Sequence, residues 1–366
     1  MIHFVVPAEQ DFGIVDYLAV WGRHLQQRIH ILHYEDVASR TLFDRGTYVF
    51  AALDQLGPAM LSVADYLHHA LSGVDGVRVL NHPKGSLQRF ELLSELGRLN
   101  ENDFRAASAT ENMEGLRYPV FIREEHGHGG PMSPLLWSAV EVEAAIGRAL
   151  LRGHLLRHLI VVEFCDTADE RGYYRKYAAF IVGDRIIARS LAYGRGWILK
   201  HGGIEFSAAM LIEERNYVFE NPHEGMLRKI FAIARVDYGR IDYALKAGRI
   251  QTWEINLNPT IGRGLRPSSG KIPEDLAPLR EETKQCFYRR FGEALEVVDM
   301  TWRGPPIRVV FRSLPVHDAH SNRSRRRLLA TVWKVLRPLK PLLEPLGTRM
   351  LPLVGRLARK RDSQHS

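Results

Sequence analysis

The first 80 residues set the strongest constraint on the fold. "IHFVVP", "RIHILHY", "TYVFAAL" and "VRVL" are short apolar runs, and between the last two lies "GPAMLSVADYLHHALSG", which has helical spacing and ends at Gly73. Strands alternating with helical stretches predict a parallel α/β sheet. No Gly-x-Gly-x-x-Gly follows the first strand, and Gly-x-x-x-x-Gly-Lys-Ser/Thr occurs nowhere. The two commonest phosphate-cradling loops are therefore missing.

From Ser86 the pattern changes. "SLQRFELLSELGRL" predicts a helix with Ser86 as its N-cap and Leu87, Phe90, Leu93 and Leu96 on one face. "YPVFIREEHGHGG" reads as a strand entering a Gly-rich loop, "SAVEVEAAIGRALLRG" as a helix and "HLIVVEF" as a buried strand. "YYRKYAAFIVGDRIIARSLAY" predicts a hairpin turning at Gly183-Asp184, and the helix "HEGMLRKIFAIARV" follows. Residues 86 to about 262 are thus α+β, with antiparallel hairpins and no sequence repeat.

The chain has 366 residues, 45% hydrophobic and 9% aromatic, so at ~150 residues per domain two or three packed units are expected. No apolar run approaches the ~18 residues that span a bilayer. The start, "MIHFVVP", has no basic leader or cleavage site and reads as a first strand. Cys165 and Cys286 do not make a disulfide framework, and a cytoplasmic location is expected. The net charge of +8 is local: residues 321–366 hold 12 Lys/Arg against Glu344 and Asp362, or +10, which leaves residues 1–320 at −2. In that tail Leu328, Leu329, Val332, Trp333 and Leu336 share a helical stripe, while Pro338, Pro341, Pro345 and Pro352 forbid one long helix. Such a tail suits an anionic membrane surface, at ~1 kcal/mol per basic residue, or a helix docked on its own body. Nucleic acid is not expected, since no aromatic stacking platform accompanies the charge.

The chemistry concentrates in "GRIDYALKAGRIQTWEINLNPTIG", residues 239–262. Two strand-like runs meet at a small turn, and a three-residue loop, Lys246-Ala247-Gly248, predicts that Leu245 pairs with Arg249. Arg240 then faces Glu254, Asp242 faces Thr252, and Asn256 shares the surface; a two-residue turn would invert the parity. Two carboxylates and an amide oxygen suit Mg²⁺, which takes oxygen ligands and fills its shell with water and substrate phosphates. A surface hairpin with ordinary polar residues is the competing reading.

An Asp on one strand and Glu-x-Asn on the next, followed closely by Pro, resembles the metal-binding end of the ATP-grasp superfamily, which includes D-alanine:D-alanine ligase, glutathione synthetase and biotin carboxylase. The resemblance runs over roughly residues 86–262. It implies that Asp242, Glu254 and Asn256 hold two Mg²⁺ (or Mn²⁺) on the phosphates of ATP, that Arg240 stabilises the reacting carboxylate, and that Asp237 is a weaker metal candidate. It implies phosphate contacts for Arg89 and Arg123, where the family usually has Lys, and for the loop "HGHGG". A His126/His128 metal site is the rival reading of that loop. It further places the adenine at main-chain groups of Phe164 and Cys165, the ribose at Glu163, and phosphate or substrate contacts at Lys176 and Lys200.

The implied architecture is an N-terminal α/β domain (1–85), two α+β lobes enclosing ATP (86–300), a linker (301–320) and the basic tail (321–366). The implied activity is ligation of a small-molecule carboxylate to an amine through an acyl phosphate. A phosphotransferase on the same fold, or a nucleotide-binding protein held at the inner membrane surface by its tail, are the alternatives.

Overall fold

The computed structural model describes residues 1–111, 113–127, 129–200, 203–262, 272 and 274–311. Its first part comprises β1 (Ile2–Val6), α1 (Phe12–Val20), β2 (Ile29–His33), a short α2 (Tyr34–Val37), the two-residue β3 (Leu42–Phe43), β4 (Gly46–Phe50), α3 (Pro58–Leu71) and β5 (Val77–Leu80). The sheet order is β2-β1-β4-β5, parallel throughout, as the alternation predicts. β1 and β4 are buried at every position, which is what a central parallel strand covered on both faces requires.

The next stretch holds α4 (Arg89–Arg98), β6 (Ala106–Ser108), β7 (Val120–Glu124), α5 (Ala139–Leu151) and β8 (Leu159–Glu163). The three strands form an antiparallel sheet, order β6-β8-β7. Strand alternation separates its faces: Val120 and Ile122 pack with Val142 and Ala145 of α5, while Phe121 packs with Leu93 of α4 and with Phe104. Ser86 is not the cap of α4. Gln88 and Glu91 form a capping box instead, and the buried Ser86 hydroxyl donates to the Arg235 carbonyl at 2.8 Å. A tertiary acceptor has claimed a residue that local sequence offered to the helix.

The remaining elements are β9 (Tyr174–Val182), β10 (Arg185–Gly194), α6 (Ala208–Glu220), α7 (Glu224–Ala234), β11 (Tyr238–Lys246), β12 (Arg249–Asn256), α8 (Ala277–Val298) and β13 (Ile307–Arg308), which pairs with β3. The second antiparallel sheet has the order β10-β9-β11-β12. Val182 pairs with Arg185, so Gly183-Asp184 makes the predicted turn. On one face Tyr177 and Tyr243 stack at 5.3 Å, and the Tyr217 hydroxyl of α6 meets that of Tyr243 at 3.1 Å. The other face carries the polar side chains.

The fold expected from the sequence, an α/β sheet followed by α+β lobes, is the one observed. Phe4 and Val49 of the parallel sheet share one continuous core with Phe180, Ile241 and Phe291, whereas the three-stranded sheet has cores of its own. The expectations for residues 321–366 and for His128 fall outside the described residues.

Candidate functional site

Two departures from regular pairing place the polar residues of β11 and β12. The turn has two residues, not three: Lys246 pairs with Arg249, and both Ala247 and Gly248 take positive φ, 48° and 76°, as hairpins of this length demand. Alone, that would send Glu254 to the aromatic face. A bulge at Trp253 adds one residue and restores the parity, so Asp242 lies opposite Glu254 and Arg240 opposite Asn256. The expected partners are each shifted, yet all four side chains share one face. Asp242 also neighbours Ala178 of β9, which brings Lys176 to within 3.4 Å of its Oδ2.

Cations from three other elements close on these carboxylates. Arg89, the first residue of α4, and Arg123 of β7 both donate to Glu254 Oε2, at 2.6 and 2.8 Å. Arg240 donates to both oxygens of Asp242, at 2.8 and 3.3 Å. The other arm of Arg89 holds the carbonyls of Glu124, Glu125 and Gly127, where the Gly-rich loop leaves β7. Burial alone would raise the Glu254 pKa, but Arg89, Arg123 and Arg240 outweigh it and hold the carboxyl well below the usual range. Burial lowers the Lys200 pKa; Glu254 opposes this, and Arg123, Lys176 and Arg89 add to it. Even before Lys200 is counted, four cations face two carboxylates.

Beside this cluster lies a cleft with about 840 Å³ of space, part of it open to solvent. Arg123, Lys176, Lys200, Asp242 and Glu254 line it, as do Phe164 and Cys165. The Phe164 N–H is already given to the Pro119 carbonyl, at 2.9 Å. Burial pushes the Cys165 thiol up to about 11, which favours the neutral thiol of a packing residue. Asn256 does not line the cleft, and its Oδ1 accepts the Asn258 N–H at 2.8 Å. Asp237 is bound to Asn81, away from the cluster.

Glu163, expected at the ribose, is placed otherwise. It is 1% exposed and absent from the cleft lining, and both its oxygens accept from Arg105 and Arg117, each at 2.8 Å at closest. With its lone pairs taken by two guanidinium forks, it anchors the ends of β6 and β7 to β8. His126 lies 3.8 Å from Glu125 and 5.7 Å, ring to ring, from His158. Among the described residues no group of three or more His, Cys, Asp or Glu is placed to hold a metal.

Sequence reasoning missed the aromatic wall of the cleft. Trp197 stands 5.0 Å from Phe121 and 5.7 Å from Phe164, and Trp253, the bulge residue, stacks on Phe104 at 4.9 Å. The only sequence signal was an isolated Trp in "GRGWILK" and another beside Glu254.

No family model and no curated protein matches the chain. Among solved structures it is similar to a D-alanine–D-alanine ligase from Bacillus anthracis complexed with ATP, at 11% identity, covering 81% of this chain and 98% of that one, with a TM-score of 0.45. It is also similar to an L-amino acid ligase from Bacillus licheniformis (12%, 70% and 66%, TM-score 0.39) and to the ATP-grasp ligase PsnB complexed with a minimal precursor (12%, 71% and 91%, TM-score 0.41). These overlaps are partial, and the chemistry of the cleft rests on its own residues.

Proposed function

We propose that the cleft binds a nucleoside triphosphate together with a divalent metal. More narrowly, the chain acts as an ATP-dependent ligase of the ATP-grasp kind. The observation that carries this is the gathering of Arg89, Arg123, Arg240 and Lys176 on only Asp242 and Glu254 beside an aromatic-walled cleft. Buried cations in excess of their anions are costly to keep, and a polyphosphate supplies the missing charge.

In this reading Arg89 and Arg123 turn from Glu254 to phosphate oxygens, which releases the carboxylate. The donor set then fits Mg²⁺: two carboxylates opposed on neighbouring strands, plus the second lone pair of the Asn256 amide oxygen, too few for a full cage without water and phosphate. A metal there would neutralise charge on the β- and γ-phosphates. A substrate carboxylate oxygen attacks the γ-phosphorus and ADP leaves. An amine or other nucleophile then attacks the acyl carbon, expels phosphate and gives up its proton. Arg240, held by Asp242, stabilises the oxyanion that forms, and loss of such a donor typically costs ~10²–10³ in rate. Trp197, Phe164 and Trp253 offer flat apolar surface for a base.

Calorimetric titration of ATP with and without Mg²⁺, on the wild type and on folded Glu254→Gln and Asp242→Asn, tests the site. Mg²⁺-dependent binding that weakens in both variants is expected. No binding to the folded wild type under either condition overturns the reading. Turnover with carboxylate and amine mixtures should release ADP and inorganic phosphate together; a stable phosphorylated product would make it a phosphotransferase instead.

A further inference from the structure

α5 is apolar on two opposite faces. Val142, Ala145 and Ala149 point into the lobe and are buried. The outward face repeats at a spacing of four, three and four with Val140, Ala144, Gly147 and Leu151, and Trp137 just ahead of the Ser138 cap extends the stripe. Val140 is 74% exposed, Leu151 90% and Trp137 65%. At 100° per residue these positions centre half a turn from the buried face. A solvent-facing helix surface is normally polar, and an apolar repeat of this spacing is the seam of a helix pair.

We infer that this face is the contact between two copies of the chain, α5 of one packing antiparallel on α5 of the other. Charges on one flank of the stripe favour this partner, while on the other flank the exposed Glu143 meets only its own copy. Glu141 and Arg148 lie on the same flank, seven residues apart, so an antiparallel pair sets Glu141 of each copy near Arg148 of the second. The sizes agree as well. In that register Ala144 meets Gly147 of the second copy twice at the centre, and Val140 meets Leu151 twice outside it. A parallel pair would set glycine on glycine and leave a gap. A Cβ added to Gly147 would meet nothing within 4 Å among the described residues, so the surface is open at that point. Antiparallel helices also oppose their dipoles. The active cleft uses no residue of this face, so the pair leaves it open. One helix of 13 residues spans ~20 Å and buries less than the ~800 Å² per partner of a standard interface, so the association is a weak, reversible one.

Sedimentation equilibrium of the full chain from about 1 to 100 μM, the range where micromolar affinity shows, should reveal a monomer–dimer equilibrium. Leu151→Glu, at an exposed position that leaves folding intact, should raise the dissociation constant at least about tenfold, or about 1.4 kcal/mol. Val140→Cys mixed with Leu151→Cys should form an intermolecular disulfide, whereas Val140→Cys alone should not; the native Cys165 and Cys286 are buried and do not interfere. A monomer at every concentration, or a dimer unchanged in folded Leu151→Glu, overturns the inference. Cross-linking of Val140→Cys to itself overturns the antiparallel arrangement.

Discussion

Replacing Glu254 by Gln removes one charge from beneath two guanidinium groups. The side chain is 17% exposed, and Arg89 and Arg123 meet at its Oε2. A Gln carbonyl oxygen in the place of Oε2 can still accept from both, but it is neutral, so two largely buried guanidinium charges lose their counter-charge. Breaking a buried pair in this way costs ~3–5 kcal/mol, and the partial exposure argues for the lower end, about 3 kcal/mol. Urea unfolding at pH 7 without nucleotide should show the loss as a lower midpoint at similar slope. The pH dependence has a definite sign. Burial would raise the Glu254 pKa, but Arg89, Arg123 and Arg240 bring it well below its ordinary 4.5. The unfolded chain therefore takes up a proton first as pH falls, and the stabilisation is present above about pH 4.5 and lost below it. The gap between wild type and variant should stay level from about pH 8 to 5 and narrow below 4.5. Equal midpoints at pH 7, or a gap that closes as pH rises, would refute the idea that this carboxylate is what the two arginines rest on.

Three further outcomes are expected. A thiol reagent at pH 8 should leave Cys165 and Cys286 unlabelled in the native protein and label both after denaturation, because both are buried and burial pushes Cys165 up to about 11. His3, stacked on Tyr48 at 4.5 Å, is pushed by burial down to about 4 from 6.5. In that interval the unfolded chain binds a proton that the folded chain does not, so stability falls as pH drops from 6.5 toward 4, and His3→Phe should flatten the slope in urea titrations. Gly248→Ala keeps φ at 76° where an added Cβ meets nothing within 4 Å, so the cost should be conformational alone, about 1 kcal/mol by urea midpoint.

What sequence could reveal depended on how local the cause was. The strands of the parallel sheet and the Gly183-Asp184 turn follow from short-range pattern, and both were legible. Arg89 and Arg123 were legible as cations at element ends, though not their meeting on one oxygen of Glu254, which lies 165 and 131 residues away. Glu163 looked like an available acid at a strand end because its partners, Arg105 and Arg117, sit 58 and 46 residues earlier. The helix α8 was passed over, since its buried Phe287, Phe291 and Leu295 are diluted by charge. The bulge at Trp253 has no local signature at all.

That bulge gives the hairpin an arithmetic of its own. A two-residue turn and one extra residue are each off by one, and together they come out even. Remove either alone and Glu254 and Asn256 rotate onto the side where Tyr177, Tyr217 and Tyr243 pack, driving a carboxylate among phenol rings. Between Lys246 and Glu254 the chain can therefore change length only in compensating steps. A shortened loop there must come with a straightened strand, or the polar cluster is lost without a single one of its residues being substituted.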